Sequence, residues 1–112
     1  MSSQPDVTVF DIVMDRLAEA GIACLPDDDG KVQGTYACYT FADGADLTWA
    51  TISNTGMENS LHSVSEHGVI SGHCEADREE TRAFGSGDVD KDVRAFVAWV
   101  VDLADRHGKT SQ

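Results

Sequence analysis

His62, His67, His73 and Cys74, together with Cys24 and Cys38, carry the atoms that bind zinc or support nucleophilic catalysis. Their spacing is against both. There is no C-x2-C or H-x3-H pair, and adjacent His73 and Cys74 point to opposite faces if they lie on a strand. The best zinc arrangement left to the chain joins His62 and His73 across neighbouring strands. Cys74 with His62 and Glu66, or Cys38 in its place, could supply a thiol, a base and an orienting acid. No nucleophile elbow or oxyanion-type glycine turn accompanies them. Asp27-Asp28-Asp29-Gly30 suggests a calcium loop, but Leu25 and Tyr36 stand where the first and last ligands of an EF-hand belong. Asp88, Asp90 and Asp92 alternate in the same way, with Val93 in place of the required Gly and Trp99 in place of the terminal Glu. Gly85-Ser86-Gly87-Asp88 lacks the Lys of a phosphate loop and puts an acid where phosphate would sit. The reading is a non-enzymatic protein with no catalytic residues, metal or cofactor.

Charge is the feature that departs from the ordinary. The 112 residues hold 20 acids, fourteen of them Asp, against 8 Lys plus Arg, for a formal charge of −12. Direct contact with nucleic acid needs a basic patch, and the sequence has none. The acids therefore serve solubility or form a face that docks a basic protein. A special case of docking is a row of carboxylates that imitates phosphates and blocks a nucleic-acid-binding protein.

Three widely spaced cysteines do not form a disulfide framework and read as buried thiols in strands. No apolar run approaches the roughly 20 residues of a membrane span. Met1–Asp11 has neither the basic region nor the apolar core of a signal peptide, so the expectation is a soluble, cytoplasmic protein. At 41% hydrophobic and 25% charged, the chain suits a single domain over residues 1–112 with a real core. Residues 1–5 and 108–112 read as disordered tails.

The elements follow from periodicity. Thr8 to Ala20 reads as a helix, with Thr8 and Asp11 as an acidic capping box and Gly21 closing it. Phe10, Val13, Met14, Leu17 and Ala20 share its apolar face, opposite the stripe Asp11, Asp15, Glu19. From Ile22 onward, short runs separated by turn signals indicate strands. They are Ile22–Leu25, Val32–Phe41 with a bulge at Gly34, Leu47–Ser53, Leu61–Ser65 and Val69–Glu75. The last two form a hairpin around His67-Gly68, and one of them is expected at a sheet edge. Ala76 to Ala83 reads as a charged extension or irregular turn, anchored by Phe84. Asp88 to His107 is a second helix, with Val93, Phe96, Val97, Val100, Val101, Leu103 and Ala104 on one arc and Trp99 at its border. Trp99 is assigned to the core, and Asp88, Asp90 and Asp92 to N-terminal capping charge.

The fold class is α+β, a two-layer sandwich. An antiparallel meander of four to five strands is flanked by N-terminal and C-terminal helices in the order α-β-β-β-β-β-α. In architecture and charge this is similar to small bacterial secretion chaperones, toxin-immunity proteins and phage-encoded inhibitors, with no shared motif that transfers a residue role. The sequence thus points to an acidic domain that binds and inhibits a basic, nucleic-acid-binding protein. Its candidate contacts are Asp11, Asp15 and Glu19, the turn Asp27, Asp28 and Asp29, and the segment Glu75, Asp77, Glu79 and Glu80. The alternatives are a small-molecule or metal-binding domain, with a pocket between helix and sheet around Tyr36, Cys38, Trp49 and His62, and a structural protein whose acidity serves solubility alone. A homodimer joined through the sheet or the broad helix face is compatible with any of these.

Overall fold

A computed structural model describes residues 8–26, 36–54, 67–75 and 79–108. The expected strand Leu61–Ser65, the bulge at Gly34 and the tails at 1–5 and 109–112 lie outside the described residues. The rest is an α+β sandwich. Helix α1 (Val9–Glu19) precedes a sheet of β1 (Leu25–Pro26), β2 (Tyr36–Thr40), β3 (Asp46–Ser53), β4 (His67–Glu75) and β5 (Glu80–Phe84), and α2 (Val89–His107) closes the chain. The strands pair antiparallel in sequence order, and both helices cover one face.

Local sequence explains both helix boundaries. Thr8 accepts the Asp11 N–H at 3.1 Å as the N-cap of α1. At the other end, Gly21 takes φ +86°. The Ile22 N–H donates to Leu17 at 2.8 Å and the Gly21 N–H to Ala18 at 3.0 Å, a complete Schellman motif with buried Ile22 as its apolar contact. Asp88 caps α2, accepting from the Asp90 and Lys91 N–H groups. Gly108, the first residue of the expected tail, belongs to the fold: its N–H donates to Ala104 and its carbonyl accepts from Ala42.

The core is a chain of aromatic rings running through both layers. Phe10 of α1 stacks on Trp49 of β3 at 5.0 Å between centroids, Trp49 meets Phe96 of α2 at 5.5 Å, and Phe96 adjoins Trp99 at 5.9 Å. Phe84 of β5 packs on Phe96 and Trp99. Trp99 is thus core, as its place beside the arc indicated, and its indole N–H donates to Glu80 at 2.8 Å.

Three strand assignments need correction. Of the expected strand Ile22–Leu25 only Leu25 pairs with β2, joined by Pro26. His67-Gly68 is not a hairpin turn: both residues belong to β4, which pairs with β3 along its whole length through an irregularity at Ile52/Ser53. The charged stretch does not merely extend β4. Its second half turns back as β5, with Ile70 opposite Phe84 and Cys74 opposite Glu80. β4 is therefore interior and β5 is the edge. A strand with one side open to water tolerates charge, whereas the strand inside carries the buried Ile70, Gly72 and Cys74.

At Gly72 the rings of α2 lie directly against the sheet backbone. A Cβ there would lie 2.5 Å from Trp99 Cζ3 and 2.9 Å from Phe96 Cε1, both stiff rings. Gly72→Ala would recover about 0.5–1 kcal/mol of strand propensity and chain entropy but overpack the core at a cost of about 1–3 kcal/mol. The overpacking wins, so urea denaturation should show a lowered midpoint. An unchanged or raised midpoint would mean that the helix rides higher over the sheet than described.

Candidate functional site

The sequence-selected acids separate into three places. Asp11, Asp15 and Glu19 are exposed along α1, about 6 Å apart along its axis at 1.5 Å per residue. Glu19 is paired with Arg16 on the same helix at 3.5 Å. Among the described residues, Asp11 and Asp15 have no cationic partner. Glu75 and Glu79 are exposed at the far end of β4 and before β5, and Glu75 lies on the sheet face that the helices leave open. Glu80 lies on the opposite face and is engaged within the fold. It accepts from Trp99 at 2.8 Å and from Arg106 at 3.3 and 3.4 Å, and those hydrogen bonds, Arg106 first, hold its carboxyl below the usual glutamate value. Asp27, Asp28, Asp29 and Asp77 lie outside the described residues.

An open groove of about 720 Å3 runs between α1 and α2. Ile12, Val89, Val93 and Val97 supply its apolar lining, and Arg16, Glu19, Asp90 and Arg94 its charges. Each arginine is paired with an acid on its own helix, Arg94 with Asp90 at 2.7 Å. Trp49 and Cys38, two of the residues expected to share a pocket between helix and sheet, lie on opposite faces of the sheet. Trp49 faces the helices opposite Ala37, and Cys38, the next residue along β2, faces away. His62, proposed for the same pocket, is outside the described residues.

The thiols are poorly placed for nucleophilic chemistry. Cys24 and Cys74 are buried, and none of the three cysteines forms a disulfide. Burial pushes the Cys24 thiol up, despite the Trp49 indole donating to its sulfur at 3.5 Å. Burial, and then the nearby Glu80 carboxylate, push Cys74 up as well. Neither favours the thiolate that catalysis needs.

A buried carboxylate was missed by sequence reasoning. Asp92, assigned to capping charge, is buried at 3% exposure and meets buried His67 with Nε2 and Oδ2 2.7 Å apart. A carboxylate only accepts, so Nε2–H donates. The Ser86 N–H donates to both Asp92 oxygens at 3.0 Å. Burial pushes the Asp92 carboxyl up, but the hydrogen bonds from His67 and Ser86 outweigh it and leave the group below its ordinary value. Among the described residues, buried His67 Nδ1 and Thr51 Oγ1 meet no hydrogen-bond partner. The pair resembles the acid–imidazole half of a catalytic triad, yet both side chains are only 2% and 4% exposed. It joins the start of β4, the β5–α2 connection and the first turn of α2. Its geometry is that of an internal tie. A signal was available: Asp92 lies four residues before Phe96 and seven before Trp99, on the buried side of the helix.

A third histidine lies on the open face. His73 is half-buried, with Nδ1 2.8 Å from Thr81 Oγ1 and Nε2 3.8 Å from Glu79 Oε2. Glu75 completes a group whose donor atoms all lie within 4.8 Å of one another. Among the described residues no helix is long and apolar enough to cross a membrane. Comparison with protein-family models, with curated proteins and with solved structures finds no match to the chain.

The Asp92 tie makes a stability prediction with a definite sign. Asp92→Ala leaves the buried His67 Nε2–H and the half-buried Ser86 N–H without their acceptor and should cost about 2 kcal/mol or more. Because its folded pKa is depressed, the Asp92 contribution is complete above the unfolded aspartate value near 3.9 and is lost as pH falls through the folded one. Urea denaturation from about pH 7 down to about pH 3 should show a shallower acid limb for Asp92→Asn than for the parent. Parallel limbs would exclude Asp92 as a source of acid sensitivity.

Proposed function

We propose that the protein is a non-enzymatic binding domain that docks a basic, nucleic-acid-binding protein through its helical layer and blocks it by presenting carboxylates where phosphates would bind. The observation that carries this reading is the exposed stripe Asp11, Asp15, Glu19 on a capped and firmly packed helix. Two of its three carboxylates meet no cation among the described residues, so a partner's Lys or Arg need not displace an existing ion pair to reach them.

The formal charge of −12 extends the effect beyond contact distance. A field of one sign raises the encounter rate with a basic surface and disfavours acidic competitors. The adjoining groove adds apolar area, from Ile12 and Val97 among others, next to the carboxylates. Charge sets the choice of partner, and burial of that area would lengthen the stay of the complex. Glu75 and Glu79 lie on the other layer and belong to a different surface.

The immobilised protein should capture a basic partner from host lysate at about 0.1 M salt and release it towards 1 M, as the Debye length shortens from about 10 to about 3 Å. With that partner purified, the triple variant Asp11→Asn, Asp15→Asn, Glu19→Gln should bind at least about tenfold more weakly, given a few tenths to one kcal/mol per exposed charge pair. Nucleic acid should compete with the parent for the same partner. Salt-independent binding, or full affinity in the triple variant, would rule out α1 as the docking face.

A further inference from the structure

We propose that His73, Glu75 and Glu79 form a binding site for a divalent transition-metal ion, with zinc the best-fitting probe of the donor set. The site is on the open face and end of the sheet, separate from α1, and stands or falls independently of the basic-partner reading.

Strand geometry assembles the ligands. His73 and Glu75 are two residues apart on β4 and so project from the same face. The chain then reverses, and the pairing of His73 with Thr81 returns Glu79, just before β5, to the same place. One imidazole nitrogen and two carboxylates, with donor atoms within 4.8 Å of one another, are a mixture that zinc and its neighbours accept. Ligands at about 2.1 Å from an ion are about 3–3.5 Å apart, so the group must contract by about 1 Å. The Glu79 side chain is 66% exposed and Glu75 is exposed, so rotation of the two side chains supplies this without moving a strand.

The orientation of His73 is the second observation. A neutral imidazole has one N–H, and Thr81 Oγ1 at 2.8 Å from Nδ1 can accept it. In that tautomer Nε2 carries the lone pair, and it lies 3.8 Å from Glu79 Oε2, too far for a direct hydrogen bond. Two electron-pair donors face one another across a gap, with Glu75 beside them. A cation between them satisfies all three, and a histidine held through its other nitrogen is the usual support of a metal ligand. Magnesium and calcium prefer oxygen donors throughout and gain less from the imidazole. Three protein ligands leave at least one coordination position for water or for a donor from another molecule.

The test is calorimetric titration of the metal-free full chain with zinc, with magnesium and calcium as comparators. Saturable binding of one zinc per chain is expected. It should weaken at least about tenfold in His73→Ala and in Glu79→Gln, and about tenfold in Thr81→Val, the size of effect that loss of a ligand's supporting partner has elsewhere. Asp11→Asn should leave it unchanged, and all variants should retain the parent's circular dichroism because the altered side chains are at least partly exposed. Cobalt substituted for zinc should show no thiolate charge-transfer absorption. Failure to saturate at about 100 µM zinc, a concentration at which a Kd near 10 µM would already give about 90% occupancy, would overturn the proposal. So would unchanged affinity in both His73→Ala and Glu79→Gln, equal binding of calcium, or a thiolate signature pointing to the cysteines.

Discussion

The rest of the structure depends on how α2 is fixed to the sheet. At its middle, Trp99 and Phe96 rest on Gly72, where the absence of a side chain lets the rings approach the strand backbone. At its start, Asp92 is tied to His67 of β4 and to the Ser86 N–H. At its end, the β2–β3 hairpin docks: the Ala42 N–H donates to Gly108 and the Asp43 N–H to His107, giving acceptors at the helix C-terminus their donors. Asp43 adds a 2.7 Å contact to the His107 ring. Apolar packing alone would allow the helix to slide or rotate over the sheet. The directional contacts at its two ends, with the close ring packing between them, define one position.

That arrangement divides the surface. With both helices on one face, the inner residues Leu47, Trp49, Ile70 and Cys74 are covered, while Thr48, Ser71, His73 and Glu75 form part of the other face. α1 completes the cover through Phe10, and its outward side is left to Asp11, Asp15 and Glu19. The acidic helix stripe and the His73 group therefore occupy different layers. The proposed docking surface and the proposed ion site do not compete for the same side chains.

Much of the fold was legible because it rests on local rules. The Thr8 cap, the Gly21 motif and the apolar arc of α2 are each set by a few neighbouring residues. The errors came where local preference met tertiary context. His67-Gly68 has the composition of a turn, yet the buried carboxylate of Asp92 gives His67 a partner and draws the pair into β4. Glu80–Phe84 is charged enough to pass for a turn, yet an edge strand needs only one anchored end, and Phe84 provides it against Phe96 and Trp99. The candidate acids suffered the same limitation. Nothing near Glu80 in sequence reveals that Arg106, 26 residues later, already holds it.

The sequence by itself determined the class of fold, the helix ends, the apolar sides of the helices and the excess of negative charge, because each follows from periodicity, capping chemistry or composition. Tertiary structure decided which charges remain available to another molecule. It buried Asp92 against His67, engaged Glu80 with Arg106 and Trp99, and left Asp11 and Asp15 exposed. It also brought Glu79 back to His73 through the antiparallel register of β4 and β5. The physical reason is range: helix and turn preferences act over about four residues, whereas burial and pairing of charges depend on residues separated by tens of positions and joined only when the layers pack.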